Sequence, residues 1–406
     1  MIAATDRRVK TAVAIYGCGY NYDRRNAAWG LVTPSDELNR FQRLLAPEAY
    51  APYVSCPILF LSSTNDFHGI MDRAYDSLAA TTGLHYQAFS PNTDHHIEPR
   101  EGRDLALWMD WQLRGQPAWP KTPPLRLAID RLGIPEAVVA LESPESVSEV
   151  KVYYCLGDKR PQDRFWRSTP GKLSASTYRA TLPVMDSWDD LRAFANITFK
   201  NGVCLSTSLQ HIIPAQLGKA KATLSWQPTI AAGPDGLEYW KFHGAYTDPS
   251  ADWEYLRVDN DPKVGPFLTF ADRLGDPVPV QLATYILGDP QFQGRDGLSL
   301  SLQVRGGFTS AGLTITVIEQ DKTLRARSYS ATLSENELGP DWREVILPLS
   351  RFTDKEKHSP ARWQDIDKLE IRGKAARKNP PRLARLRWVA AQAASKQHPT
   401  ETKTRP

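Results

Sequence analysis

Cys56–Gly69 reads CPILFLSSTNDFHG, an unbroken apolar run that turns polar at Ser62 and delivers an acid, Asp66, ahead of a glycine. An apolar run of that length without alternation is the pattern of a strand buried on both faces of a parallel sheet. Outward from it, Val9–Tyr16 (VKTAVAIY) and Leu84–Phe89 (LHYQAF) supply two more candidate strands. Ile70–Ala80 suits a helix, and Glu98–Arg114 suits another with Leu105, Trp108, Met109 and Leu113 as its apolar stripe. Strand–helix–strand order predicts a parallel α/β layer over residues 1–115. Three strands are few for such a layer, so the region reads as part of a larger sheet.

Beyond it the pattern changes. Gly115–Pro124 (GQPAWPKTPP) holds four prolines, which predicts a stiff linker over 116–124. From 125 to 218 the period becomes two, with Val150, Val152 and Tyr154 on one strand face and Ala193, Ala195, Ile197 and Phe199 on another. Turn signals at Leu156–Asp158 and Lys200–Gly202 space such runs as in an immunoglobulin-like β-sandwich. Residues 219–392 carry strand patterns at Leu298–Arg305, Leu313–Glu319, Ser328–Leu333, Glu344–Leu349, Leu369–Gly373 and Leu383–Val389, which suits a β jelly roll of about eight strands. The polar stretch 393–406 is expected to be disordered. The expected fold class is therefore multidomain: a partial parallel α/β layer, then an immunoglobulin-like sandwich, then a jelly roll. A length of 406 residues fits this division, at roughly 100–200 residues per domain.

Composition narrows the partners. Fifty Lys and Arg against 46 Asp and Glu leave +4, too diffuse a charge for nucleic acid as the main partner. No run approaches the roughly 20 apolar residues of a membrane span. The opening MIAATDRRVK has no basic-then-apolar leader, and localisation stays open, an extracytoplasmic one included if the chain is a shortened form. Cys18, Cys56, Cys155 and Cys204 form no C-x-x-C pair, so no zinc or thioredoxin-like motif is expected. A Cys155–Cys204 disulfide and buried free thiols are the two alternatives for that pair.

Chemistry concentrates at strand ends, where open α/β sheets bind and react. Asp66 follows one strand, and the loop of FSPNTDHHIEP after the next places His95 and His96, 29 and 30 residues on from Asp66. That is the acid–base half of a triad whose chain order is Ser, Asp, His. On DRRVKTAVAIYGCGY, CPILFLSSTNDFHGIMD, AFSPNTDHHI and WMDWQLRG, residues 1–115 resemble the C-terminal part of an α/β-hydrolase of the dienelactone hydrolase and acetyl xylan esterase type. The resemblance implies Asp66 as the acid that orients the imidazole and His95 as general base, with His96 as the fallback. No cofactor and no metal is implied.

The nucleophile elbow G-x-S-x-G does not occur in the chain. In the resembled family it precedes the strand represented by Lys10–Tyr16, so an upstream segment or a separate chain is expected to complete the sheet. Cys18 in YGCGY is the one alternative nucleophile; Ser62, Ser63 and Ser90 read as turn or hydrogen-bonding residues. His68 and Asp72 lack a third ligand for a metal. WREVILPLSRF, WQDIDKLEIRG and LARLRWV resemble galactose-binding-like jelly rolls found as carbohydrate-binding modules. Trp363, Trp240 and Trp253 are accordingly candidates for stacking on sugar rings, with core packing as the alternative. Two functions follow as expectations: a serine-esterase chain retaining acid and base but lacking its nucleophile, inactive as written; and a non-enzymatic protein whose β domains bind a polysaccharide or a partner.

Overall fold

The computed structural model describes residues 1–17, 19, 35–116, 119–243, 254–271, 274, 277–306, 308–320, 326–378 and 380–391, and strands dominate it. Cys18, Trp253 and the tail 393–406 lie outside the described residues. No helix among the described residues is long and apolar enough to cross a membrane.

The apolar runs near the N-terminus form a three-stranded parallel sheet of β1 (Ala12–Ile15), β2 (Ile58–Ser63) and β3 (His85–Ser90), in that order. Leu61 of β2 pairs with Ile15 on one side and Ala88 on the other, so the three strand ends emerge at one level. Successive side chains alternate between faces. Phe60 and Phe89 meet the helix Met71–Ala80 on one face, while Leu59, Leu61 and Ala88 meet Trp108 of the helix Asp104–Arg114 on the other. The single helix expected over Glu98–Arg114 is two, Pro99–Gly102 and Asp104–Arg114, and the expected stripe is narrower because Met109 and Leu113 are exposed.

The middle region contains β4 (Leu125–Ile129), β5 (Pro135–Ala140), β6 (Val147–Leu156), β7 (Arg167–Thr169), β8 (Gly171–Ser174), β9 (Thr177–Thr181), β10 (Leu191–Phe199), β11 (Cys204–Ser206) and β12 (Gln210–Ile212). They make two sheets, β4-β5-β9-β8 and β11-β10-β6-β7, with β12 also paired to β10. Ala193, Ala195, Ile197 and Phe199 face the sandwich core together with Val152 and Tyr154. The opposite face is buried too. Phe194, Tyr153, Cys155 and Trp166 pack against Phe60, Met71 and Phe89 of the α/β layer, so the second sheet is the middle layer of a stack. Trp119, from the proline-rich stretch read as a spacer, stacks on Trp111 at 5.6 Å and is buried in that shared core.

Cys155 and Cys204 are free thiols, which corrects the disulfide alternative. Their ladder partners on β10 are Arg192 and Thr198, six residues or about 20 Å apart, whereas a disulfide needs Cα atoms within about 7 Å.

The third region is a two-sheet sandwich with eleven strands among the described residues: β13 (Thr229–Ala232), β14 (Lys241–Phe242), β15 (Leu256–Asp261), β16 (Gly265–Phe270), β17 (Val278–Thr284), β18 (Leu298–Arg305), β19 (Phe308–Gln320), β20 (Ala326–Leu333), β21 (Arg343–Pro348), β22 (Ile366–Ala375) and β23 (Arg382–Ala390). Its sheets run β15-β16-β23-β18-β21, with β13 on β23, and β14-β17-β22-β19-β20. The first five strands, short or interrupted by polar residues, escape a reading by pattern. Trp363 and Trp240 belong to this sandwich's core. That burial corrects their assignment as sugar-stacking residues, because an enclosed indole has no face to offer; the Trp363 ring packs on Trp388 at 4.9 Å and donates its N–H to the Leu298 carbonyl at 2.9 Å.

Candidate functional site

Parallel pairing of β2 with β3 sets their C-terminal loops side by side, and those loops carry Asp66 and His95. His95 Nδ1 lies 2.7 Å from Asp66 Oδ2. Asp66 is fully buried, and its other oxygen accepts the backbone N–H groups of His68, at 2.6 Å, and Gly69. A carboxylate so held presents a fixed acceptor, which makes Nδ1 the protonated nitrogen and leaves the Nε2 lone pair outward. The hydrogen bond to Asp66 raises the His95 pKa above its ordinary 6.5, partial burial opposes the shift, and the Asp66 and Asp94 charges add to it.

Aromatic rings wall the imidazole. Tyr16 lies 4.0 Å from it between centroids, Phe67 5.1 Å and His68 5.3 Å. Burial lifts the Tyr16 phenol to about 12, and burial lowers His68, so these flanking groups are neutral at pH 7. Tyr16 directly follows β1 with φ of 65°, a left-handed conformation uncommon for an aromatic residue. Gly69 is required opposite it, since a Cβ there would sit 1.9 Å from the Tyr16 carbonyl oxygen.

The loops are fixed by residues the sequence reading passed over. Asn65 donates to the Gln162 and Arg164 carbonyls at 3.0 and 2.7 Å, and Asn92 exchanges hydrogen bonds with the Trp166 backbone. The middle sandwich therefore braces both strand ends. Ser63 donates to the Asp94 carbonyl, Ser62 to the Gly69 carbonyl at 3.4 Å, and Ser90 to Glu101 at 2.9 Å, so each of these hydroxyls has a local bonding role. His96 turns away from Asp66: it is buried, with Nε2 at 3.5 Å from Glu98 and its ring edge-on to Tyr255. Asp72 is gripped in bidentate fashion by Arg164, and among the described residues no metal set forms with His68.

Chemically, the arrangement is a partly exposed imidazole whose Nδ1 is tied to a buried carboxylate, which leaves Nε2 as the nitrogen able to accept a proton. Among the described residues, no hydroxyl or thiol hydrogen-bonds His95 Nε2, and Cys18 lies outside them.

No family model matches the chain, and no curated protein matches it in sequence. Among solved structures the chain is similar to carbohydrate-binding modules. One is the family 11 module from Clostridium thermocellum in complex with a β-1,3-1,4-mixed-linked tetrasaccharide, 12% identical, covering 40% of this chain and 95% of that one with a TM-score of 0.26. Another is the family 30 module of a cellulosomal cellulase of Clostridium thermocellum, 11% identical over 42% of this chain and 96% of that one, TM-score 0.26. A third is the CBM22-1 xylan-binding domain from Paenibacillus barcinonensis, 14% identical over 42% of this chain and 100% of that one, TM-score 0.26.

Proposed function

We propose that Asp66 and His95 are the acid–base couple of an ester-cleaving site of the dienelactone hydrolase and acetyl xylan esterase type. The observation that carries the reading is the 2.7 Å bond between His95 Nδ1 and a fully buried Asp66 whose second oxygen is held by two backbone N–H groups. Nε2 takes the proton of an attacking hydroxyl, and Asp66 stabilises the imidazolium that results. Assaying the full chain on p-nitrophenyl acetate tests this. Turnover should rise with pH through a midpoint above that of an ordinary histidine and fall by about 10²–10⁴-fold in His95→Gln. Absence of turnover, or turnover indifferent to His95→Gln and Asp66→Asn, removes the reading.

A second reading, carbohydrate binding by the β regions, is favoured by Trp188. Its side chain is exposed on the middle sandwich, 70% accessible, in a loop where Asp186 accepts its backbone N–H. An open indole offers a stacking face for a sugar ring. Affinity electrophoresis in xylan and β-glucan gels should show retardation that Trp188→Ala abolishes; free migration of the intact chain in both gels ends this reading.

A further inference from the structure

The histidine loop is not held by its own domain alone. β22 of the third region runs Ile366–Ala375, and Lys368 projects from it into the seam with the α/β layer, where its side chain is 7% exposed. Its ammonium reaches Asp94 Oδ2 at 3.3 Å and Glu370 at 2.9 Å, and it lies 5.1 Å from the Tyr285 ring centroid. Asp94 is the residue before His95. Its second oxygen, Oδ1, accepts the His95 backbone N–H at 2.9 Å, and its carbonyl accepts from Ser63 at the end of β2. One carboxylate thus links the main chain of the base to a cation 274 residues away in the chain.

We infer that Lys368 is a positioning residue for His95: the third region completes the acid–base site by fixing the Asp94 carboxylate, which in turn fixes the backbone from which the imidazole hangs. The inference rests on the reading of Asp66 and His95 as an acid–base couple. Two contacts define an imidazole's place, one at its ring and one at its main chain. Asp66 supplies the first, and Lys368 acts through Asp94 on the second. A buried ammonium flanked by two carboxylates is costly to desolvate, and that cost is offset only where the geometry is held closely. The same closeness makes it a suitable anchor for a loop that has to keep a hydrogen bond 2.7 Å long.

The test uses the full chain labelled with ¹⁵N-histidine. In the unmodified protein the His95 ring should show a single tautomer protonated at Nδ1, and its backbone amide should exchange slowly. Lys368→Met should convert the ring to averaged tautomers and speed exchange of the His95 amide by about tenfold, with amides of β6 and β10 unchanged. Lys368→Arg should restore the single tautomer. A role confined to overall stability would speed exchange across the protein and leave the tautomer alone, which would overturn the inference. If Lys368→Met does not fold, Lys368→Gln keeps a donor without the charge and is read in the same way. Asp66→Asn separates the two claims: if it leaves the His95 tautomer unmoved, the acid–base reading fails, whereas an Asp66→Asn effect beside an inert Lys368→Met sinks the positioning role alone.

Discussion

The α/β layer and the third region solve the same burial problem differently. The third region carries its own core between two sheets, from Ile230 to Trp388, and a single buried residue from elsewhere, Phe165, joins it. The α/β layer has no such independence. One of its faces finds its partners in Tyr153, Cys155, Trp166 and Phe194 of the middle sandwich, and the outer edge of β3 is closed by side chains from that sandwich. There Phe89 donates its N–H to Ser206 Oγ at 2.8 Å, and its carbonyl accepts from Asn196 at 2.9 Å. An open strand edge is a liability that proteins cover in some way, and here a neighbouring domain does it with two polar side chains. Residues 1–115 and 125–218 are therefore one packing unit, and the third region is another, attached through ion pairs and the inserted Phe165 ring.

The largest effect that separates these units should come from Trp166→Ala. Trp166 is fully buried in the seam and meets Phe194 edge-on at 5.0 Å, so truncation should cost about 3–5 kcal/mol. Scanning calorimetry should show the loss in the transition of the first two regions while the third region's transition stays in place. One transition moving as a whole would mean that the two units do not unfold separately.

The link between units can be probed at Arg167, whose guanidinium clasps Asp289 from across the boundary, with both side chains nearly excluded from water. Removing one partner strands a buried charge. Arg167→Met should cost about 3 kcal/mol, and adding Asp289→Leu should recover most of it, because a buried pair replaced by apolar groups is often close to neutral. A double variant no more stable than the single one would show that the pair's surroundings, rather than its charge balance, set the cost.

The packing of the α/β layer on the middle sandwich also makes the first unit sensitive to pH. Glu101 is buried between the α/β layer and the middle sandwich, accepting from Ser90 at 2.9 Å and Asn196 at 3.2 Å, and burial raises its pKa to about 7 against the Arg100 charge that lowers it. Burial raises Asp104, one turn on, in the same direction, and its Oδ2 has no hydrogen-bond partner. A carboxyl whose folded pKa is raised contributes stability that is full below its ordinary value near 4.5 and is lost as pH rises through the folded value. For Glu101 the swing is roughly 3 kcal/mol between acid and mildly alkaline solution. Thermal melts from about pH 5 to pH 8 should therefore show the first unit weakening with pH, and Glu101→Gln should flatten that slope. A slope unchanged in Glu101→Gln would assign the effect to another group.

How far these features were legible in the chain depends on the range of the contacts that make them. β2 and β3 and the meeting of Asp66 with His95 at their ends could be read, because buried parallel strands leave unbroken apolar runs and their loops follow at a fixed end. One face of β10 could be read from Ala193, Ala195, Ile197 and Phe199. Its other face, with Phe194 and Asn196, carries no such signal, because nothing local says that a second layer lies on it. Lys368 sits among alternating charges in DKLEIRG, the ordinary mark of a solvated face, and only a partner 274 residues away makes it buried. Trp363 and Trp240 misled in the opposite sense, since an indole reads alike in a sequence whether it is destined for a core or for a sugar.

The smallest of the expected effects bears most directly on why the first two regions act as one. Asn196 lies in the middle of β10, almost fully buried, and satisfies three groups at once: the Phe89 carbonyl on β3, Glu101, and Ser206, whose hydroxyl donates to its Oδ1 at 2.6 Å. Asn196→Ala creates little cavity but leaves a buried carbonyl and a buried hydroxyl without their partner, at about 1–3 kcal/mol. The loss should be local. Hydrogen exchange should accelerate at Phe89, whose amide bonds Ser206, before it does so in β18 or β22 of the third region. If Phe89 stays as protected as before, the edge of β3 is held by apolar packing on Phe194 and Trp166 alone, and the polar cap is incidental to the fusion of the two regions.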